Sequence, residues 1–181
     1  MSGTNTRIRK LCFAGMFLSI GWLLPFVTGQ VPEIGNMLCP MHIPVMIAGY
    51  MLGPWYGLLV GLLTPVTRSF IFGSPTLYPR AVCMMFELAA YGYLCPAILK
   101  LMGRKIKSSM AAVYISLVFA ALMGRVVWGT AQVIFGVFTK NVFTWAAFMS
   151  GAFVTAWPGI LLQLLLIPPL VVLLKNASVF K

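Results

Sequence analysis

The sequence predicts an all-α membrane protein, a compact bundle of six transmembrane helices in a single integral membrane domain over residues 1–181. Apolar residues make up 61% of the chain and charged residues 8%, which lies far outside the range of soluble globular proteins. The apolar residues also gather in six segments that are separated by short polar stretches. No stretch is long and polar enough to predict a soluble domain.

The six predicted spans cover residues 11–26, 38–52, 54–72, 80–99, 109–137 and 150–174. A bilayer core about 30 Å thick needs roughly 20 helical residues, so four segments have this length or nearly so and the first two are short. The second segment contains Pro40 and Pro44 near its start, which suits a helix N terminus at the membrane surface. Gly53 and Pro54 then predict a tight reversal into the third segment.

Lysine and arginine side chains predict the orientation of the bundle. If both termini are cytoplasmic, nine of the thirteen cations lie on the inner side and only Lys140 lies on the outer side. The inner cations are Arg7, Arg9, Lys10, Lys100, Arg104, Lys105, Lys107, Lys175 and Lys181. Such an excess is typical of cytoplasmic loops, and termini on one side require an even number of spans.

Four charged residues remain in or at the ends of the apolar segments: Arg68, Arg80, Glu87 and Arg125. A charge at the centre of the membrane costs about 2.5–3.5 kcal/mol on insertion scales, so such residues are commonly paired or functional. With three cations and one anion, this region has room for a negatively charged ligand.

Helical spacing predicts which polar side chains share a cleft in the outer half of the bundle. The candidate binding residues are Arg80, Glu87, Tyr91, Arg125, Trp128 and Gln132. Those on the fourth segment are separated by seven and four positions, and those on the fifth by three and four. Each set therefore lies on one face of its helix.

Several of these residues also have a structural interpretation. Glu87 can pair with Arg125 without any ligand. Arg68 and Arg80 can anchor helices at the membrane surface, and Trp128 can belong to an interfacial aromatic belt.

The residues that catalysis commonly needs are missing. The sequence has no GxxxxGK[ST] motif for ATP hydrolysis and no Asp for paired-carboxylate or two-metal chemistry.

We expect His42, the only histidine, to make a structural hydrogen bond rather than bind a metal, because no cysteine pair accompanies it. The cations are not clustered on a hydrophilic domain, so we expect no nucleic-acid partner. We predict a carrier or binding subunit without catalytic residues, metal or cofactor. The alternative is a small membrane enzyme or assembly factor that acts on lipid through Glu87 and Arg125.

Three motifs carry a resemblance to a known family: PMHIP at residues 40–44, GPxxGxxxG at 53–61 and FELAxYG at 86–92. With these motifs and six short spans, the chain resembles the substrate-binding S components of energy-coupling factor (ECF) vitamin transporters over essentially its whole length. The resemblance implies a multi-pass protein of a prokaryotic plasma membrane that binds a water-soluble vitamin with high affinity. It also implies three partner chains, namely an ECF transmembrane coupling protein and two ABC ATPase subunits that hydrolyse ATP.

The resemblance further implies where ligand and partners bind. The family's pocket lies near the outer surface under the loop between the first two spans, which adds Asn36 to the candidate binding residues. The family docks on its partners through small residues of the first span. The nearest match here is Ala14, Gly15 and Ser19, of which Gly15 and Ser19 form a small-xxx-small pair that permits close helix approach.

The surplus of cations favours a vitamin with a carboxylate, since hydrogen bonds to charged groups contribute roughly 1.5–3 kcal/mol. Pantothenate fits best, because it is small and has one carboxylate besides its hydroxyls and amide. Folate, pyridoxine and cobalamin are the alternative vitamins.

Overall fold

The computed structural model describes residues 3–27, 37–102, 109–138 and 144–177, and every regular element in these ranges is helical. The all-α prediction is therefore confirmed. Five helices are long and apolar enough to cross a membrane: Asn5–Val27, Pro54–Phe72, Leu77–Met102, Met110–Val137 and Trp157–Asn176. Two shorter apolar helices accompany them, His42–Leu52 and Trp145–Val154. This pattern is that of a multi-pass membrane protein.

We number the α-helices in chain order: α1 Gly3–Val27, α2 His42–Leu52, α3 Pro54–Phe72, α4 Val82–Met102, α5 Ser109–Phe138, α6 Trp145–Met149 and α7 Trp157–Asn176. Two π-helical turns extend these helices. One, Leu77–Ala81, leads into α4, and the other, Ser150–Val154, continues α6.

Three of the predicted spans differ from the helices observed. The first, predicted as a short segment over 11–26, belongs to the 25-residue helix Gly3–Val27. The predicted span 38–52 becomes a helix only at His42, because the backbone turns at Cys39, which has a φ of 46°. The resulting α2 has 11 residues. At a rise of about 1.5 Å per residue, it covers roughly half of a bilayer core.

The predicted span 150–174 is interrupted rather than continuous. Thr155 and Ala156 form a turn, and α7 begins at Trp157 with Pro158 in its first helical turn. Proline has no backbone N–H to continue a preceding helix but fits the first turn of a new one, so the break falls here.

Helix α2 lies at the centre of the bundle. Every residue of α2 except Met51 is buried, and α2 packs against α1, α3, α4 and α7. A helix that is apolar on all sides belongs in an interior position. The surrounding core includes Phe17 of α1, Leu88 of α4, Leu117 of α5 and Ile167 of α7.

Helices α2, α3 and α4 pack through four glycines, Gly49, Gly57, Gly61 and Gly92, which we call the glycine seam. A Cβ atom on Gly49 or Gly57 would overlap the carbonyl oxygen of Gly92. One on Gly92 would overlap the carbonyl oxygen of Gly57, and one on Gly61 would overlap the backbone of Leu88. Small residues let membrane helices approach closely, and here the approach leaves no space for any side chain.

Glycines also shape both ends of α3. Gly53 has a φ of 106°, a conformation that disfavours other residues, and with Pro54 it forms the predicted reversal between α2 and α3. Gly73 ends α3 with a φ of 67°, and its N–H donates to the carbonyl oxygen of Ser69 at 3.0 Å.

Arg68 joins the ends of α1 and α3. Its Nε donates to the carbonyl oxygen of Trp22 at 3.4 Å, and its Nη1 donates to that of Ser74. The guanidinium also lies 5.8 Å from the ring centroids of both Phe26 and Phe72. These contacts satisfy a buried charge within the protein, which favours a structural role for Arg68.

Candidate functional site

The candidate site is built around Glu87, a buried carboxylate on α4. Tyr91 lies one helical turn later, and its hydroxyl donates to Glu87 Oε1 at 2.9 Å. Arg125 of α5 places Nη1 at 2.9 Å from the same oxygen, and both charged side chains are buried. Because a buried carboxylate without compensation is unfavourable, this ion pair allows Glu87 to remain ionised inside the bundle.

A glycine on α5 makes this arrangement possible. A Cβ on Gly124 would overlap the ring of Tyr91, so only glycine lets the ring pack directly against the α5 backbone. The next residue is Arg125, which therefore lies opposite Glu87 where the two helices meet.

His42, at the start of α2, approaches the same carboxylate. Its Nε2 lies 3.5 Å from Glu87 Oε1, within ion-pair range, but neither ring nitrogen has a partner with hydrogen-bond geometry in the described part of the chain. We treat the approach as a contact and not as a hydrogen bond. The expected structural hydrogen bond of His42 is therefore not found among the described residues, and two polar nitrogens are left beside the carboxylate.

A cavity of about 250 Å³ opens beside this cluster, and we call it the upper chamber. The residues of its lining that matter here are His42, Arg80, Glu87, Arg125, Trp128 and Gln132. The two guanidinium groups and one carboxylate of this lining sum to one excess positive charge. Arg125 is paired with Glu87, whereas the exposed Arg80 makes no ion pair within the described ranges.

The aromatic and amide residues of α5 complete one wall of the upper chamber. Gln132 Oε1 accepts a hydrogen bond from the Cys83 thiol, with Sγ at 3.3 Å. The Trp128 ring stacks on Phe148 with centroids 6.2 Å apart, and it packs closely over Gly151. Trp128 thus belongs to the chamber wall as well as to an aromatic cluster.

The structure brings most of the predicted binding residues together. Five of them line the upper chamber, and Tyr91 contacts Glu87 without lining the chamber itself. Asn36 lies outside the described residues.

Comparison with protein-family models gives a match over most of the chain. The family model described as "ECF transporter, substrate-specific component" matches residues 9–171 of the chain. The chain belongs to this family. No curated protein and no solved structure gives a significant match.

An ECF substrate-specific component is a transport subunit and not an enzyme, which agrees with the prediction from the missing catalytic residues. Members of the family associate with an ECF module of coupling protein and ATPases. The described ranges contain no group of three His, Cys, Asp or Glu side chains that could hold a metal ion.

The predicted docking residues of this ECF component separate into two environments. Ala14 is buried in the core, and its part in docking stays a prediction. Gly15 and Ser19 are exposed on α1, and the Ser19 hydroxyl donates to the carbonyl oxygen of Gly15 at 3.0 Å. A Cβ on Gly15 would meet no atom within 4 Å.

Sequence reasoning missed His42 as a residue of the chamber. The signal was present, because a lone buried imidazole in an apolar helix is as unusual as the lone carboxylate that drew attention to Glu87. Cys39 carried no such signal. It lines the chamber with Sγ at 4.0 Å from Arg125 Nη2, through a backbone turn that the sequence does not reveal.

Proposed function

We propose that this ECF substrate-specific component binds pantothenate in the upper chamber for import across the cell membrane of a prokaryote. The observation that carries the proposal is the excess positive charge of the chamber lining, in which Arg80 has no carboxylate partner among the described residues. A ligand with one carboxylate neutralises this charge, and hydrogen bonds to charged groups contribute roughly 1.5–3 kcal/mol.

The remaining polar groups of the chamber suit the rest of such a ligand. The Glu87 carboxylate accepts hydrogen bonds from N–H and O–H groups, and the His42 imidazole has two ring nitrogens that can hydrogen-bond. In this arrangement Arg80 holds the carboxylate near the mouth of the chamber, while the ligand's amide group faces Glu87 and His42. Tyr91, Trp128 and Gln132 support this surface, and we place Asn36 in the site on the family resemblance alone.

The size of the chamber favours a small vitamin. A cavity of about 250 Å³ lies just below the usual range of about 300–1,000 Å³ for ligand pockets. Folate and cobalamin are much larger than pantothenate, and pyridoxine lacks a carboxylate to balance Arg80. Pantothenate meets both requirements.

In the membrane, we propose six spans with both termini in the cytoplasm. The five long helices give an odd number of crossings, and the buried α2 with the turn before it supplies the sixth. The distribution of lysine and arginine favours this even count. Cysteine introduced in place of Lys140 should react with a membrane-impermeant maleimide in intact cells. Cysteine in place of Lys105 should react only after lysis.

For assembly, we propose that α1 docks on an ECF transmembrane coupling protein that carries two ABC ATPase subunits. The exposed pair Gly15 and Ser19 supports this choice, because small residues let a partner helix approach closely.

The direct test of the cargo is mass spectrometry of the small molecules released when the purified protein is denatured. We expect pantothenate, and we expect titration of the emptied protein with pantothenate to give a nanomolar Kd. Release of a different vitamin, or no measurable binding of pantothenate, would contradict the proposal.

A further inference from the structure

A second cavity shares Arg125 with the upper chamber. Its volume is about 170 Å³, and we call it the deep pocket. The part of its lining used below comprises Tyr91, Leu117, Ala121, Arg125, Gln163 and Leu164. Arg125 lines both cavities, so the two meet at this side chain.

Gln163 of α7 is the feature of the deep pocket that packing does not explain. The residue is only 4% exposed, and its Nε2 has no hydrogen-bond acceptor in the described part of the chain. Neither of the other two polar residues of this lining accepts a hydrogen bond from Gln163, because Arg125 has no acceptor and the Tyr91 hydroxyl oxygen is not in hydrogen-bond geometry with Nε2. A buried donor without a partner is unfavourable, so a ligand that brings an acceptor to Gln163 gains a hydrogen bond there.

The walls of the deep pocket define the rest of the occupant. Apart from these three residues the lining is apolar, with Leu117, Ala121 and Leu164 among its members. An apolar cavity of about 150 Å³ in another protein is large enough to bind benzene. The deep pocket therefore has space for a single ring or a short branched group.

We propose that the deep pocket receives the uncharged end of the transported compound, a branched or ring-shaped apolar group with a hydrogen-bond acceptor that contacts Gln163. The inference rests on the proposed function, since the charged end of the same compound stays near Arg80 in the upper chamber. In pantothenate this uncharged end is the acyl group with two methyl groups and two hydroxyls. The upper chamber then selects the transported compound by its charge, and the deep pocket selects it by the shape of its uncharged end.

The test uses Gln163→Leu, which keeps a side chain of similar size and removes the unsatisfied donor. We expect the empty variant to unfold at the same temperature as the wild type or higher, while its Kd for pantothenate rises roughly tenfold or more. β-Alanine, the charged half of pantothenate, should bind both proteins equally. If Gln163 had only a structural role, the substitution would alter the unfolding temperature and leave the Kd for pantothenate as in the wild type.

Ala121→Leu is a second variant that fills the deep pocket and leaves Gln163 in place. We expect it to weaken pantothenate binding and not β-alanine binding, and it keeps the inference testable if Gln163→Leu fails to fold. If both variants bind pantothenate as well as the wild type, the inference is overturned and the proposed function stands.

A wild-type protein that binds no pantothenate contradicts the proposed cargo and not the pocket itself. The probe is then pantolactone, an uncharged compound with the same pair of methyl groups and a carbonyl acceptor. Thermal stabilisation of the wild type but not of Gln163→Leu supports the inference. Equal responses of the two proteins overturn it.

Discussion

The two sides of α4 are packed in opposite ways. Towards α2 and α3, α4 presents Gly92, and the backbones meet so closely that a methyl group has no space. Towards α5, the same helix presents Glu87 and Tyr91, and two cavities of about 250 and 170 Å³ lie along this side. The glycine seam is closed and apolar, whereas the cavity side is open and charged.

This difference shows how a small membrane protein can hold a charged site. Empty space and buried charges both reduce stability, and lipid supplies little hydrophobic force to hold helices together. Close backbone packing at the glycine seam offsets these costs and fixes α4 in position. Glu87 then meets Arg125 at a set distance while the space beside the pair stays free for a ligand.

The largest expected effect comes from adding one methyl group to the glycine seam. Gly92→Ala forces α3 and α4 apart, because the new Cβ overlaps the carbonyl oxygen of Gly57. Overpacking costs typically about 1–3 kcal/mol, and a contact with backbone should exceed that range. Thermal unfolding in detergent measures the loss. Gly15→Ala is the matched control and should leave stability within about 1 kcal/mol of the wild type. If the two variants lose the same amount of stability, the glycine seam is not tightly packed.

On the cavity side, breaking the buried ion pair should have the next largest effect. Glu87→Gln leaves Arg125 buried without its counter-ion and should cost about 3–5 kcal/mol in the free energy of unfolding. The double variant Glu87→Gln/Arg125→Gln should lose less than the sum of the two single variants, because neither charge remains. Additive losses in denaturant titrations would mean that the two groups do not interact in the folded protein.

A charged and a neutral hydrogen bond inside the bundle can be compared in one experiment. Tyr91→Phe removes a hydrogen bond to a buried carboxylate and should cost roughly 1.5–3 kcal/mol. Tyr50→Phe, in the central α2, removes a neutral hydrogen bond of 2.8 Å to Ser116 and should cost about 0.5–1.5 kcal/mol. Unfolding of both variants under one condition gives the comparison, and the reverse order of losses would contradict the assignment of Glu87 as a charged group.

The smallest effect on stability should come from enlarging the exposed face of α1. The Cβ of Gly15→Leu meets no atom within 4 Å, and the exposed side chain should change the free energy of unfolding by less than about 0.5 kcal/mol. Its ligand affinity should also stay unchanged, while co-purification with the coupling protein and ATPases is lost. Retention of the whole complex by this variant would place the docking surface elsewhere.

The sequence predicted which polar residues lie near one another where helical periodicity alone decides their position. Spacings of three, four and seven residues are enough to put Arg80 beside Glu87 on one helix face, and Trp128 beside Gln132 on another. Periodicity does not say which cation pairs with the carboxylate. That choice depends on how α4 meets α5 at Gly124, a tertiary contact with no local signal.

Other features were beyond the sequence for similar reasons. The late start of α2 follows from the positive φ of Cys39, a conformation that a residue other than glycine rarely adopts. The break before α7 had a visible sign in Pro158, but the apolar run around it predicted a continuous helix. The burial of Ala14 depends on the rotation of α1 in the bundle, which a hydrophobic segment without a polar face leaves open.

The excess positive charge of the upper chamber is tested most directly by comparing pantothenate with panthenol, its uncharged alcohol analogue, in calorimetric titrations of the wild type and Arg80→Gln. We predict that the wild type prefers pantothenate by roughly tenfold or more, and that Arg80→Gln loses most of this preference without a change in unfolding temperature. Equal affinity of the wild type for the two compounds, or an unchanged preference in Arg80→Gln, would contradict the assignment of Arg80 as the partner of a ligand carboxylate.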